Sequence, residues 1–145
     1  MIALIQRVSN ASVHVDDELC GQIGPGVLAL VAVTATDGEA QAERLVQRVL
    51  DYRLFEDDGG RMNRSLRDTG GGLMLVPQFT LAADTRSGTR AGFSGAAAPD
   101  KALQLFTLAL DIARRGHSPV AAGQFGAHMR VALVNDGPVT FWLES

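Results

Sequence analysis

Two segments with helical periodicity lie between runs of strand-forming residues, and this order restricts the folds open to the chain. Strand patterns occupy Ala3 to Val15 and Val27 to Val33 before the first helix, Leu73 to Val76 between the helices, and the C-terminal part of the chain after the second. A doubly wound parallel sheet would instead alternate strand and helix throughout. The order predicts an α+β fold with a largely antiparallel, barrel-like sheet and two main helices.

Each helix carries start or stop signals. The first is predicted from about Gly38 to Tyr52, after a capping-box pattern of Thr36 and Glu39. The second is predicted to begin at Pro99, because proline tolerates the first helical position. It should end at Arg114–Gly116, where two arginines offset the helix dipole and the glycine takes a left-handed cap.

The remaining segments are predicted to contain short strands and turns. Residues Glu56 to Gly72 are rich in Asp, Gly and Arg and should form a loop or a short hairpin. From Ala127 the chain alternates again, should turn at Asn135–Gly137, and is predicted to end in a strand from Val139 to Leu143.

The composition fits one folded domain. The chain has 145 residues, of which 46% are hydrophobic and 20% charged, so we expect a single domain over residues 1–145. The longest apolar run, Val27 to Ala35, is about half the ~20 residues that cross a bilayer. The Met1 start lacks the basic and apolar regions of a signal peptide, so we expect a cytoplasmic protein that does not contact membranes.

Neither a metal nor another cofactor is expected. Cys20 is the only cysteine, and the three histidines, at positions 14, 117 and 128, are too scattered for a zinc spacing. A lone histidine beside apolar residues is more often packed or solvated than catalytic.

Charge argues against a protein that coats nucleic acid, because the net charge is -3 and the pI is near 5.5. A local patch is still open to phosphate. Arg86 and Arg90 lie four residues apart in a glycine-rich segment, where planar guanidinium groups can hold phosphate oxygens. The alternative is an ordinary pair of solvated loop charges.

Conventional catalytic motifs are weak. Gly92–Ala96 is close to a nucleophile elbow around Ser94, but it has Ala96 in place of the second glycine and lacks the strand-to-helix context. Asp57 and Asp58 are adjacent in a glycine-rich turn, where carboxylates usually face solvent. Gly21, Gly24 and Gly26 precede a strand, which favours a turn over a dinucleotide-binding loop.

Two short segments make unusual demands on the backbone. In Val76–Leu81 a buried strand runs into Pro77 and then into polar residues beside an aromatic ring, an arrangement that places amide N–H groups at a site edge. In Asn135–Thr140 a Gly-Pro pair interrupts two strands, and a purely structural turn is the alternative.

These segments carry a resemblance over essentially the full length of the chain. The stretches MIALIQRVSNASVHV, YRLFEDDGGRMNRSL, PQFTLAADTRSGTRAGF and LVNDGPVTFWL are similar to the D-aminoacyl-tRNA deacylase family, also called D-tyrosyl-tRNA(Tyr) deacylases. The resemblance implies a cofactor-free enzyme of translational proofreading that hydrolyses the ester of D-aminoacyl-tRNA, and of mischarged glycyl-tRNA. It also implies a homodimer in which a cis Gly137-Pro138 pair from one subunit enters the active site of the other and rejects L-aminoacyl substrates.

The resemblance further assigns site residues. Gln78, Phe79 and Thr80 match the catalytic Ser-Gln-Phe-Thr motif, with Pro77 where the family usually has serine. An oxyanion hole would use the backbone N–H groups of Gln78 and Phe79, with Thr80 positioning the substrate and the 2′-hydroxyl of the tRNA assisting. Phe125 matches an aromatic residue near the terminal adenosine. Arg86 and Arg90 fall in the loop expected near tRNA.

Two other functions remain open at this point. One is a noncatalytic RNA- or nucleotide-binding module, which the acidic composition and the single lysine support poorly. The other is a serine esterase that uses Ser94 as its nucleophile.

Overall fold

The computed structural model describes residues 1–145 as eight strands, three α-helices and one short 3-10 helix. The strands are β1 (Ile2–Val15), β2 (Glu18–Ile23), β3 (Gly26–Ala32), β4 (Phe55–Glu56), β5 (Met62–Arg64), β6 (Gly72–Pro77), β7 (Val120–Ala122) and β8 (Arg130–Glu144). The helices are α1 (Glu39–Asp51), α2 (Leu66–Thr69) and α3 (Pro99–Gly116), and the 3-10 helix (Phe79–Ala82) follows β6.

Strand β1 is the centre of the main sheet. Strand β8 pairs antiparallel with almost its whole length, while β3 pairs with its first half and β2 with its second half. Strand β6 then joins β3, and β7 joins β6, both in parallel. At the far side β7 comes back beside β2, where the Cys20 Sγ atom lies 3.6 Å from the Ala122 carbonyl oxygen. The sheet therefore nearly closes into a barrel.

This architecture confirms the expected α+β class with two main helices, and it shows that the sheet is mixed. All three partners of β1 are antiparallel to it, as the pattern predicted. The parallel pairs arise because α1 lies between β3 and β6, and α3 lies between β6 and β7. A crossover through a helix returns the chain to the same end of the sheet, so the next strand runs parallel.

The strands of the barrel are buried on both faces. On one face, Val27 and Ala29 of β3 pack with α1 and α3 in a core that includes Leu45 and Phe106. On the other face, Leu28 packs inside the barrel with residues of β1, β2 and β6. This double burial explains why β3 is a continuous apolar run without alternation. No helix combines the length and the apolar character needed to cross a membrane.

The helix ends differ in two details from the sequence prediction. The capping box of Thr36 and Glu39 is wrong: α1 is capped one turn later, where the Gln41 side chain accepts a hydrogen bond of 2.9 Å from the Gly38 N–H. Helix α3 begins at Pro99 as predicted, but the left-handed glycine cap is wrong. Gly116 is the last helical residue, and His117 continues in an extended conformation with φ of -158°.

A close approach between strands explains one of the N-terminal glycines. Gly26 opens β3 directly opposite Gly72, which opens β6. A Cβ atom on Gly26 would lie 2.6 Å from the backbone nitrogen of Gly72, so only glycine allows the two parallel strands to start side by side. The glycines at this position serve strand packing, which agrees with the turn interpretation.

Candidate active site

A cavity of about 480 Å³ opens where the ends of β3 and β6 meet the start of α3. Its floor is formed by Val31–Val33 and Val76–Phe79, and its walls by the first turn of α3 and the segment Phe125–Met129. Most of the lining side chains are apolar. Such a cavity, with a few convergent polar groups, is the usual form of a small-ligand site.

The segment after β6 supplies most of the polar groups. Pro77 pairs opposite Val31 at the end of the parallel ladder, where its missing N–H costs little, and its ring lines the cavity. The Gln78 side-chain amide donates a hydrogen bond of 2.5 Å to the Thr80 hydroxyl. Gln78 and Phe79 line the cavity, whereas Thr80 lies exposed just beyond it.

The backbone amides of this segment differ from the expected oxyanion pair. The Gln78 N–H already donates to the Val31 carbonyl oxygen over 2.7 Å, so it is occupied within the sheet. Phe79 and Thr80 are the first two residues of the 3-10 helix, and N–H groups at that position have no acceptor inside the helix. The free pair of adjacent donors is therefore Phe79 and Thr80.

Phe125 lines the cavity, as expected. Its ring lies 6.3 Å from the ring of Phe106 on α3, with an interplanar angle of 43°. The chain turns at Gly126, whose φ of +76° favours glycine, and the Gln124 N–H lies 3.3 Å from the Met129 sulfur. The segment Phe125–Met129 thus forms an aromatic wall across from the strand ends.

His128 is a site residue that the sequence interpretation missed. It lies on the same wall and is exposed at the cavity. None of the other residues that line the cavity has an ionisable side chain. Spacing alone gave no reason to separate it from His14 and His117, because its position depends on how the β7–β8 connection folds over the end of β6.

The Gly-Pro pair lies in an interruption of β8. Gln6 pairs with Thr140 and Val8 with Asn135, so residues 136–139 leave the ladder opposite a single residue, Arg7. We call residues 136–139 the β8 excursion. Its Gly137-Pro138 peptide bond is cis, in agreement with the resemblance.

Side chains close the base of the β8 excursion. The Asn135 Oδ1 atom accepts a hydrogen bond of 2.8 Å from the Val139 N–H, and Asn135 Nδ2 donates to the Thr140 hydroxyl over 3.0 Å. Strand β8 is therefore one strand with a fixed interruption, rather than the two strands and a turn that the sequence predicted. Gly137 and Pro138 are exposed and do not line the cavity of their own chain.

The two arginines proposed for phosphate binding differ. The Arg86 guanidinium donates two hydrogen bonds to the Asp84 carboxylate, at 2.9 and 2.7 Å. This pairing lowers the pKa of Asp84 and raises the pKa of Arg86. Arg90 forms no ion pair and is fully in the exposed part of the loop. Of the pair, only Arg90 presents an uncompensated charge.

The conventional catalytic alternatives find no support in the geometry. The Ser94 hydroxyl is exposed and makes no hydrogen bond, so no base activates it. Asp57 instead accepts hydrogen bonds from Asn63 and from the backbone of Gly59 and Arg61, which lowers its pKa and shapes the β4–β5 hairpin. Asp58 pairs with Arg64 on the same hairpin.

No group of three His, Cys, Asp or Glu side chains is placed to hold a metal ion. The sequence model described as D-Tyr-tRNA(Tyr) deacylase matches residues 4–144. The chain belongs to this family. The match includes both the Pro77–Thr80 segment and the β8 excursion.

Individual members of the deacylase family agree with this assignment. A protein of Thioalkalivibrio sulfidiphilus (strain HL-EbGR7) named D-aminoacyl-tRNA deacylase is 65% identical over 99% of this chain and 97% of its own. A solved structure named c-Myc DNA Unwinding Element Binding Protein is 35% identical, with a TM-score of 0.95 over 100% of this chain and 99% of that one.

A second solved structure supports the fold alone. It is described as a probable eukaryotic D-amino acid tRNA deacylase, and it superposes with a TM-score of 0.88 at 18% identity, over 99% of this chain and 98% of that one. The deacylase fold thus persists while most side chains change.

Proposed function

We propose that this chain hydrolyses the ester bond of D-aminoacyl-tRNA and releases a free D-amino acid and tRNA. One observation carries the proposal: in a chain of the deacylase family, the free amides of Phe79 and Thr80 and the ring of Phe125 border the same apolar cavity. An aromatic wall suits the base of a terminal nucleotide, and paired N–H donors suit an ester carbonyl.

The proposed reaction needs positioning more than side-chain chemistry. The ester carbonyl oxygen accepts from the Phe79 and Thr80 amides, while water adds to the carbonyl carbon. The ester bond then breaks, and the ribose 3′-oxygen leaves with a proton, assisted by the neighbouring 2′-hydroxyl of the tRNA. The Thr80 hydroxyl already accepts from the Gln78 amide, and no histidine, lysine or carboxylate contacts it as a base. Thr80 is therefore a positioning residue.

We propose that the site is completed by a second copy of the chain. Gly137 and Pro138 do not line their own cavity, so a role for them in the reaction requires delivery from a partner. The outer edge of β8 has no strand beside it, and it exposes 53% of Val134 and 49% of Trp142. A long apolar edge strand is usually covered in the functional assembly.

The β8 excursion then acts as the chiral filter. The carbonyl groups of Gly137 and Pro138 from the partner hold the amino group of the substrate and leave no volume for an L side chain. A D side chain points away from this backbone toward solvent, so many D-amino acids are accepted. Glycine has no side chain to reject, and glycyl-tRNA is therefore a substrate as well.

The remaining partner contacts concern tRNA. Arg90 contributes a phosphate contact, and the reaction uses no cofactor. Because aminoacyl-tRNA is made and used in translation, the enzyme works in the cytoplasm as a proofreading step.

The test compares D-tyrosyl-tRNA with L-tyrosyl-tRNA and follows loss of the ester. We expect rapid hydrolysis of the D ester, almost none of the L ester, and wild-type rates for Ser94→Ala. Loss of activity in Ser94→Ala would indicate a serine esterase. Binding of both RNAs without hydrolysis would indicate a noncatalytic RNA-binding module.

Completion across the interface has its own test. Gly137→Ala disables the β8 excursion and Phe125→Ala disables the cavity, so each variant alone should be nearly inactive. When the two are unfolded together and refolded, half of the dimers are mixed and contain one complete site, which restores about one quarter of the wild-type activity. Each variant refolded alone is the control. No gain on mixing would contradict a site shared between subunits.

A further inference from the structure

The imidazole of His128 is the one ionisable side chain on the wall of the cavity. It is exposed, and it makes no hydrogen bond within the chain. His117 is different, because its Nε2 atom lies 2.7 Å from the Gly71 carbonyl oxygen. A ring that is uncommitted in its own chain and faces a ligand cavity is free to bind the ligand.

The local backbone fixes where this ring lies relative to Phe125. The turn at Gly126 places both residues on the wall of one cavity, and the Gly123 N–H anchors the segment to β6 through the Leu75 carbonyl oxygen at 2.8 Å. Phe125 is half-buried and His128 is exposed. The aromatic ring therefore lies deeper, and the imidazole lies toward the rim.

Other charged groups near the cavity are committed or lie outside its lining. On α3, Lys101 donates to the Ala35 carbonyl oxygen over 2.7 Å, and its neighbour Asp100 is exposed beside it. Arg130 on β8 is paired with Asp17. Beyond the 3-10 helix, Asp84 is paired with Arg86. Strand β3 and the Val76–Phe79 segment contribute no charged residue.

We propose that protonated His128 binds the phosphate that joins the terminal nucleotide to the rest of the tRNA, an inference that rests on the proposed function. The apolar interior accepts the base and the Phe79 and Thr80 amides accept the ester carbonyl. The phosphate, an anion, cannot enter an apolar cavity without a partner and stays at the rim. At the rim, His128 supplies the charge-assisted hydrogen bond that such an anion requires.

The proposal predicts pH dependence with a defined sign. Imidazole ordinarily changes charge between about pH 5 and 8. The protonated ring binds the phosphate and the neutral ring does not carry the charge, so the contribution is present at low pH and is lost as the pH rises. It affects substrates that contain the phosphate and leaves those without it unaffected.

Two small substrates isolate this contribution. One is the 3′-D-tyrosyl ester of the dinucleotide CpA, whose single phosphodiester stays anionic over the whole range. The other is 3′-D-tyrosyl-adenosine, which has no phosphate. The measured quantity is the ratio of their kcat/KM values between pH 5.5 and 8.5, after subtraction of spontaneous hydrolysis. Because both esters share the same amino group and the same carbonyl, their other pH effects cancel in the ratio.

In the wild type, the CpA ratio should fall by about tenfold from pH 5.5 to 8.5, the size expected of one charge-assisted hydrogen bond. His128→Gln should give a low ratio at every pH, and His128→Lys a high ratio that persists to pH 8.5. His14→Gln, on β1 and outside the cavity, should follow the wild type.

The outcomes separate the two proposals. If the wild type hydrolyses both esters and His128→Gln gives the same ratio at every pH, the phosphate contact is refuted and the proposed function stands. If the wild type hydrolyses neither ester and is also inactive on D-tyrosyl-tRNA, both proposals fail together. A ratio restored by lysine and abolished by glutamine supports a charge-based contact over a merely structural role.

Discussion

The Nε atom of Arg7 donates a hydrogen bond of 2.8 Å to the carbonyl oxygen of Asp136. The Nη1 atom of the same guanidinium donates to the Leu54 carbonyl oxygen, also at 2.8 Å, and the side chain is only 11% exposed. One buried cation therefore ties the β8 excursion to the chain that enters β4. The orientation of Gly137 and Pro138 depends on a fork-shaped donor rather than on the sheet ladder, which is interrupted there.

Arg7→Lys should therefore reduce activity more than stability. A single ammonium cannot reproduce two donors in fixed directions, so we expect kcat/KM for D-tyrosyl-tRNA to fall about 10- to 100-fold. Arg48→Lys is the matched control, because Arg48 also donates to a β8 carbonyl, that of Glu144, away from the excursion. Equal losses in the two variants would show that Arg7 supports β8 in general.

Gly137→Ala should abolish most of the hydrolysis. Gly137 has a φ of +154°, and a Cβ atom there would lie 2.6 Å from both the backbone nitrogen and the Cγ2 atom of Val139. The β8 excursion must shift to relieve this contact, at a cost of about 1–3 kcal/mol. Gly24→Ala is the control, because a Cβ atom at Gly24 meets nothing within 4 Å. Thermal unfolding and kcat/KM of both variants provide the measurement.

Asp57 should make the protein less stable in acid. Hydrogen bonds from the Asn63 side chain, then from the Arg61 and Gly59 backbone amides, lower its pKa in the folded state. The unfolded chain therefore binds protons more readily below about pH 4, the ordinary range of aspartate, and stability is lost as the pH falls from there. Asp57→Asn should flatten the fall of Tm between pH 5 and 3. Asp58→Asn, which changes an exposed carboxylate on the same turn, should leave it steep.

The tRNA contacts of the two loop arginines should be unequal. Arg90→Ala should reduce the slope of log Kd against log salt by about 0.7–0.9, the effect of losing one phosphate contact. Arg86→Ala should change it little, since Asp84 already neutralises that guanidinium. Asp84→Asn releases Arg86 and should strengthen binding. If Arg86→Ala costs as much as Arg90→Ala, then Asp84 gives up the ion pair when tRNA binds.

The fold could be predicted where local signals decide it. Pro99 opens α3, and the apolar alternation of β1 gives a half-buried strand, both because a few neighbouring residues fix the conformation. The parallel pairing of β6 with β3 was not predictable in the same way. It depends on which strand the α1 crossover reaches, and that choice involves the Gly26–Gly72 contact between distant parts of the chain.

The site followed the same division. Gln78, Phe79 and Phe125 were found from a motif, and they do border one cavity. The motif could not tell that the Gln78 amide is used by Val31, because hydrogen bonding between strands depends on register. His128 carries no local signal at all. Its importance comes from the absence of any other ionisable group on the wall, which only the three-dimensional arrangement reveals.

Thr80 decides between positioning and nucleophilic catalysis. Its hydroxyl accepts a hydrogen bond from the Gln78 side-chain amide at 2.5 Å, so a lone pair is engaged and the proton remains on the oxygen. A nucleophile would need a base instead, and none contacts it. Thr80→Val keeps the shape and removes the hydroxyl, and we expect it to lower kcat/KM for D-tyrosyl-tRNA about 3- to 10-fold, the effect of one hydrogen bond.

Gln78→Ala should give a loss of similar size, and the double variant should lose little more than either single variant, because both residues contribute to one contact. Single-turnover hydrolysis followed by mass analysis of the protein provides the check. A fall to the spontaneous rate in folded Thr80→Val, or a D-tyrosyl ester trapped on Thr80, would make the threonine the nucleophile and would require a base that the free chain does not present.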